Sequence, residues 1–375
     1  MFNHNLKPIS PVPGGRLDVI AVVSNPRRFL SRYRLFRDFE SRMLEAGARL
    51  TVVECAFGDR AFEVADRDPR VNYVKVRTDH EVWSKENLIN LGFSRLPDDA
   101  EYVAWCDGDV EFLRPDICDE TVHQLQHHPV VQMFSEAHDL GPDGHVINTF
   151  RSFAWSNLNG IPRRRGGGND GGAKAKDNAA PAKGSASQST TLVSPVGVKA
   201  TTTLDWSEAY YGGEGRPANA DGRICYYHHP GFAWAARRDA IDTLGGLFDT
   251  AVVGESDWIM AKAFVGEAED VLYPGISPGY RRAVRAWQDR ALRLRGDIGV
   301  VPGSLVHAWH GPKAARKYWD RCKILTDTQF DPATDLRRES SGLYGLADDD
   351  SPRHALLRDS IRAYFAQRSE DSIDL

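Results

Sequence analysis

Asp107 and Asp109 stand one residue apart in the stretch Ala104-Trp105-Cys106-Asp107-Gly108-Asp109-Val110-Glu111-Phe112-Leu113, directly after the apolar run Tyr102-Val103-Ala104-Trp105. Side chains at i and i+2 of an extended chain project to the same side. Two carboxylates would therefore leave one strand end together. Such oxygen ligands hold a hard divalent cation that bridges two phosphates. The plainer alternative is a surface turn, for which Asp and Gly are ordinary residues.

Three more segments offer groups of the right chemistry. In Trp83-Ser84-Lys85-Glu86-Asn87-Leu88-Ile89-Asn90-Leu91-Gly92-Phe93, Lys85 suits a diphosphate, and Asn90 offers a donor and an acceptor for a nucleotide edge. The same residues also fit a plain amphipathic helix. Gly245-Gly246 followed by Gly254-Glu255-Ser256-Asp257-Trp258 lets backbone approach a ligand closely. Its carboxylates, Glu255 and Asp257, are either helix caps or a general base facing an acceptor hydroxyl. In Val306-His307-Ala308-Trp309-His310-Gly311, two imidazoles three apart complete a cation's coordination beside carboxylates, or are structural.

The elements that must position these groups alternate in type. Leu17 to Val23 reads as a buried strand ending in Ser24-Asn25-Pro26, where Ser24 or Asn25 caps a helix opened by Pro26. Phe29, Tyr33, Phe36 and Met43 or Leu44 recur at helical spacing until Gly47. Strands follow over Arg49–Cys55 and Val71–Val76, then a helix over Glu81–Leu96 and a strand over Glu101–Trp105. Val130 to Phe134 and Gly299 to Pro302 read as further strands, and Asp257 to Phe264 as a helix. This alternation predicts an α/β fold with a mainly parallel sheet covered on both faces, whose ligands bind at the carboxyl ends of the strands.

Arg163 to Thr191 has almost no large apolar residue and is expected to be a disordered, solvated insertion inside one domain. Its basic residues, and the helix Tyr280–Arg295 carrying Arg281, Arg282, Arg285, Arg290, Arg293 and Arg295, are solvated faces or contacts for an anionic acceptor. The expected organisation is a flexible 1–16, a first half 17–150, an insertion 151–224 disordered around 163–191, a second half 225–335 of the same domain, and a helical tail 336–375.

Over 375 residues, 41% hydrophobic and 26% charged content are those of a globular protein. A net charge of −5 gives no global field for coating nucleic acid or anionic lipid. Five scattered cysteines without a CxxC pair argue against a disulfide framework and a structural zinc site. Met1 to Gly15 contains no apolar leader, and no run reaches the ~18 apolar residues of a membrane span. A reducing cytoplasm is the expected home.

In order and spacing these segments resemble the β-1,4-galactosyltransferase-type branch of the GT-A glycosyltransferases. There a helix of the form basic-x-x-Leu-Leu-Asn-x-Gly-Phe precedes an Asp-x-Asp strand; Lys85, Leu88, Ile89, Asn90, Gly92 and Phe93 fill those places. The segment His307 to Gly311 with Arg316, Tyr318, Arg321 and Phe330-Asp331-Pro332 is similar to soluble bacterial and phage glycosyltransferase-like proteins. The resemblance spans residues 17–150 and 225–335.

It implies a GT-A, Rossmann-like catalytic domain and an inverting transfer of sugar from a nucleotide-diphosphate sugar, with a UDP-sugar first among the donors. By the resemblance, Mn2+ or Mg2+ is held by Asp109 with His310 or His307, and Asp107 touches ribose or the metal's water. Ser24, Asn25, Arg28, Lys85 and Asn90 complete the expected donor side. Asp257, or else Glu255, is the expected base, since Ser256 stands where a second acidic residue is usual.

The family's Trp-Gly-Trp acceptor segment is missing, so the acceptor stays open between a glycan or lipid-linked saccharide and a hydroxylated base of phage DNA. Ser256 also keeps a non-catalytic nucleotide-sugar-binding domain in view. A nucleotidyltransferase fits less well, because Ser24-Asn25-Pro26-Arg27-Arg28 lacks a Gly-rich phosphate loop.

Overall fold

The apolar run at Leu17 forms a fully integrated strand, and the rest of the chain builds outward from it. The structure is a computed structural model that describes residues 15–160, 228–318, 320–347 and 349–374. The expected disorder around 163–191, most of the expected flexible N-terminus and Cys225 lie outside those residues. In chain order the elements are β1 (Leu17–Ser24), α1 (Leu30–Glu45), β2 (Arg49–Phe57), β3 (Asn72–Thr78), α2 (Lys85–Phe93), β4 (Tyr102–Cys106), β5 (Val110–Phe112) and α3 (Ile117–His127). Next come β6 (Val130–Gln132), β7 (Glu136–Leu140), β8 (Val146–Ser152), α4 (Phe153–Leu158), β9 (His228–His229), β10 (Ala233–Arg237), α5 (Arg238–Leu244) and α6 (Ser256–Phe264). The last are α7 (Pro278–Ala291), β11 (Ile298–Val300), β12 (Ser304–His307), α8 (Lys323–Asp327), α9 (Pro332–Asp335), β13 (Leu336–Arg338), β14 (Tyr344–Leu346) and α10 (Pro352–Ala366).

Seven strands form the main sheet in the order β11-β6-β10-β4-β1-β2-β3. Only β10 runs against its neighbours β4 and β6; the other pairings are parallel. This is the mainly parallel, helix-covered α/β arrangement expected of a GT-A-type domain. Alternation along the strands divides the core between the two faces. Leu17, Val19, Ala21 and Val23 of β1 face one side with Tyr102 and Ala104 of β4, while Ile20, Val103 and Trp105 face the other. Since β10 follows the 161–227 segment and lies between β4 and β6, strands from both sides of that segment share one sheet.

A second sheet, β5-β12-β7-β8-β9, stands beside the carboxyl end of β4. Its register places Val110 opposite His307, and His307 opposite Asp139. Paired residues on neighbouring strands share a face, so this alignment decides which side chains meet in the site.

Several local expectations give way to competing hydrogen bonds. The helix expected from Pro26 starts at Leu30, because Asn25 closes its own loop: Phe29 N donates to Asn25 Oδ1 (3.0 Å), and Asn25 Nδ2 donates to Phe29 O (2.9 Å). Arg28, at φ +58°, sits in the left-handed region within that loop. The helix expected over 81–96 shortens to α2, since Trp83 N donates to Val252 O (2.9 Å) and draws the preceding segment away. The tail expected to be helical begins with the hairpin β13–β14, continues into α10, and ends in a strap, residues 367–374, that returns to α1.

The arginines of α7 serve mainly structure. Arg281 and Arg285 pair with Glu269, Arg282 with Asp331, and Arg290 Nε donates to Leu244 O (2.5 Å). Among the described residues the four cysteines are buried and free, and no helix is long and apolar enough to cross a membrane.

Candidate active site

A cavity of about 290 Å3 opens where β1 and β4 end, between the main sheet and the strap. Ser24 and Asn25 line it from the end of β1, and Asp107 and Asp109 from the end of β4. Beyond Cys106 the chain does not stay extended: residues 108 and 109 form a turn, tight enough that a β-carbon on Gly108 would lie 2.8 Å from Phe36 Cδ2. The two carboxylates therefore part company. Asp107 bonds to Lys85, whereas Asp109 turns to the histidines. Asp107 thus stands apart from the atoms that converge around Asp109.

Asp109, His307 and His310 bring their ligand atoms within 4.8 Å of one another. His310 Nε2 lies 3.1 Å from Asp109 Oδ2 and 3.2 Å from His307 Nε2, while His307 Nε2 lies 3.7 Å from Asp109 Oδ1. Bonds of about 2.1 Å to one ion place neighbouring ligand atoms roughly 3.0–3.4 Å apart in octahedral or tetrahedral geometry. The spacing fits a divalent cation.

The tautomers fit as well. His307 Nδ1 lies 2.6 Å from Asp139 Oδ1 and donates to it, which leaves the Nε2 lone pair facing Asp109 and His310. Arg316 Nη2 donates to His310 Nε2 (2.9 Å), so that nitrogen is also unprotonated. Asp109 Oδ1 is buried without a hydrogen-bond partner among the described residues. The His307 Nε2 lone pair and the Asp109 carboxylate thus face one space, and the His310 Nε2 lone pair joins them where a cation takes the place of the Arg316 donor. Burial pushes the Asp109 carboxyl up, but His307, His310 and Arg316 outweigh it and hold it well below the usual carboxylate range. Burial and Lys313 push His307 down, favouring the neutral imidazole that ligates metals.

Asp139 is 1% exposed and shared between His307 and Lys313 Nζ, 3.1 Å away. A buried carboxylate behind a ligating histidine fixes the ring and raises its basicity. Asp139→Asn is accordingly expected to weaken Mn2+ binding by about 10–100-fold. Calorimetric titration of the folded variant checks this, and an unchanged affinity would remove Asp139 from the site.

The opposite wall carries the acid–base candidates. Glu255, in the left-handed region at φ +75°, accepts from Tyr273 Oη (3.0 Å) and lies 4.0 Å from Arg321. Asp257 accepts from Trp258 N at Oδ1 (2.9 Å), and its Oδ2 lies over Gly231, where a β-carbon would come within 2.8 Å. Burial pushes the Asp257 carboxyl up against the pull of Lys85 and Arg321. Buried Glu86 is pushed up to about 7, chiefly by burial and against Lys85. Trp83 stacks on Phe365 with ring centroids 6.5 Å apart, and the Arg368 guanidinium lies 5.2 Å from the Trp83 ring centre.

Of the expected site residues, Ser24, Asn25, Lys85, Asp107, Asp109, Glu255, Asp257, His307 and His310 line this cavity. Arg28 and Asn90 do not. Arg28 turns outward to Glu63 (3.3 Å), and its place on the wall is taken by Arg27 and Arg32. Asn90 is spent on the Gly246–Leu247 turn: it accepts from Leu247 N (2.7 Å) and donates to Asp249 (2.9 Å). Sequence reasoning missed Asp139, Glu86 and the strap residues Arg368 and Glu370. Asp139 had one available signal, its place in a short alternating strand that pairs with the histidine strand.

No family model matches this chain, and neither does any curated protein. Among solved structures, the catalytic domain of Drosophila β1,4-galactosyltransferase 7 in complex with xylobiose is similar at 10% identity, covering 90% of this chain and 96% of that one, with a TM-score of 0.33. A mutant of the same enzyme with manganese, UDP-Gal and xylobiose shows 11% identity over 89% of this chain and 95% of that one, with a TM-score of 0.32. The 4-diphosphocytidyl-2C-methyl-D-erythritol synthase of Anaerococcus prevotii is similar at 9% identity over 77% and 87% of the two chains, with a TM-score of 0.25. These are distant likenesses.

Proposed function

We propose that this chain is a metal-dependent, inverting glycosyltransferase of the GT-A type, transferring a sugar from a nucleotide-diphosphate donor to an acceptor hydroxyl. The carrying observation is the convergence of Asp109 Oδ2, His307 Nε2 and His310 Nε2 at the strand ends, in one cavity with Asp257. Asp109, His307 and His310 would hold Mn2+ or Mg2+. When bound, the cation supplies Lewis-acid stabilisation to a leaving diphosphate.

The chain's own groups do the rest. Arg316 lines the cavity with no carboxylate partner among the described residues and attracts an anionic donor, while Arg32, Lys85 and Lys313 line it each beside a carboxylate. Asp107 holds Lys85 in place and is free to meet the donor's ribose. Asp257 Oδ2 takes the acceptor's proton as the hydroxyl attacks the anomeric carbon. Asp257 serves as this base ahead of Glu255, whose carboxylate is bonded to Tyr273. Asp257 Oδ2, which has no hydrogen-bond partner among the described residues and lines the cavity, favours catalysis over a binding-only domain. A glycan is the preferred acceptor over DNA, because the arginines of α7 that suited DNA are largely paired.

The test is a panel of UDP-, GDP-, TDP- and CMP-sugars incubated with the purified protein. Slow hydrolysis of one donor class is expected, lost with EDTA and restored by Mn2+ or Mg2+. Failure to bind or hydrolyse any nucleotide sugar at millimolar Mn2+ would sink the proposal.

A further inference from the structure

The strap after α10 (residues 367–374) is wedged between the start of α1 and the turn that follows His310. Asp371 caps α1, accepting from Leu30 N (2.9 Å) and Ser31 N (2.7 Å). Ser31 Oγ donates to Glu370 O (3.0 Å), and Trp309 Nε1 donates to Ser372 O (2.8 Å). Gly311, at φ +85°, makes room for it: a β-carbon there would lie 2.5 Å from Ser369 O and 2.8 Å from the Glu370 Cα.

Glu370 is 1% exposed, and its carboxylate is clasped by Arg32 (Nη2 to Oε1, 2.8 Å) and Arg368 (2.5 Å). Its Oε2 stands 3.6 Å from His310 Nδ1. That nitrogen is buried and has no hydrogen-bond partner among the described residues. Since Arg316 donates to Nε2, the ring's proton belongs on Nδ1. A cation that takes Arg316's place on Nε2 requires the same tautomer and makes Nδ1–H a stronger donor. Glu370 Oε2 is then its acceptor, once the 3.6 Å gap closes to hydrogen-bond length.

We infer that Glu370 is a positioning residue for the metal ligand His310, so that docking of the 367–374 strap and binding of the cation favour each other. The inference rests on the metal reading above. Linkage is reciprocal: whatever factor the docked strap adds to cation affinity, the cation returns to strap docking. Through Arg32, whose Nη1 also donates to Ser24 O (3.2 Å), the strap ties the donor-side loop to the metal ligands.

The experiment is titration of the full-length protein with Mn2+ alone, by calorimetry or by the Mn2+ EPR signal, beside hydrogen exchange of residues 367–374. Glu370→Gln is expected to weaken Mn2+ binding by about 10–100-fold, the usual effect of removing a partner behind a metal ligand. Asp371→Ala touches no proposed ligand and should shift affinity in the same direction, because it unpins the strap from α1. In the unaltered protein Mn2+ should slow exchange across 367–374. This last readout needs no variant, and a strap that only stabilises the fold would not respond to the ion. Mn2+ affinity unchanged in the folded variants, or strap exchange indifferent to a bound ion, overturns the inference while the metal site stands. An unaltered protein that binds no Mn2+ overturns the metal reading itself.

Discussion

Asp109→Ala is expected to abolish measurable Mn2+ binding and to lower donor turnover by about 10^3-fold, since Lewis-acid assistance is worth several kcal/mol and each ~1.4 kcal/mol is a factor of ten. Asp109 is the only anion among the three grouped ligands, and His310 lies 3.1 Å from its Oδ2. Without it, two imidazoles with no anion between them remain beside Arg316, a setting that repels a dication. The substitution spares the strand pairing, because Ala308 N is held by the main-chain oxygen of residue 109 (2.9 Å). Parallel Mn2+ titration, thermal melting and donor hydrolysis check the claim. A folded Asp109→Ala protein with full Mn2+ affinity and full turnover would remove Asp109 from the metal site.

Asp257→Asn is expected to lower kcat by about 10^2–10^4-fold, the usual contribution of a positioned base, while Mn2+ and nucleotide binding persist. The sign of the pH dependence follows from the environment. Burial raises the Asp257 carboxyl above the ordinary aspartate range, with Lys85 and Arg321 only partly offsetting it. A base works only when deprotonated, so kcat should fall as pH drops through that raised value, and the Asn variant should lose this limb. Glu86, pushed up to about 7, titrates close by and needs a control. If Glu86→Gln abolishes the acid limb and Asp257→Asn leaves it in place, Glu86 is the base and Asp257 is not.

Much of the candidate site could be read from the chain because its proposed ligands sit in short motifs. The carboxylate after β4 and the two histidines of the β12 segment were visible as residue types with a spacing. The partners behind them were not. Asp139 reaches His307 only through the register of β7 on β12, a pairing between segments far apart in sequence. Glu370 lies in a run, Ser369-Glu370-Asp371, that reads as a solvated terminus, and only the return of the strap to Arg32 and His310 buries it. Arg28 and Asn90 failed in the opposite direction: each had suitable donors, yet a local turn claimed them first. The sheet itself was legible, since strands buried on both faces read as near-continuous apolar runs. The start of α1 was not, because Asn25 bonds to Phe29 instead of capping.

The position of β10 bears on how the protein is made. Trp234 pairs opposite Trp105, and Ala235 opposite Val131, so the middle of the main sheet waits for a strand synthesised long after both of its neighbours. Until then β4 is an open edge, and β6 has no sheet partner at all because its other neighbour, β11, comes later still; such edges recruit foreign strands. Closing them is a long-range event that follows slowly on the local helices. A polypeptide stopped before residue 233 is therefore left with the four strands β4-β1-β2-β3 open at β4, and is prone to aggregate.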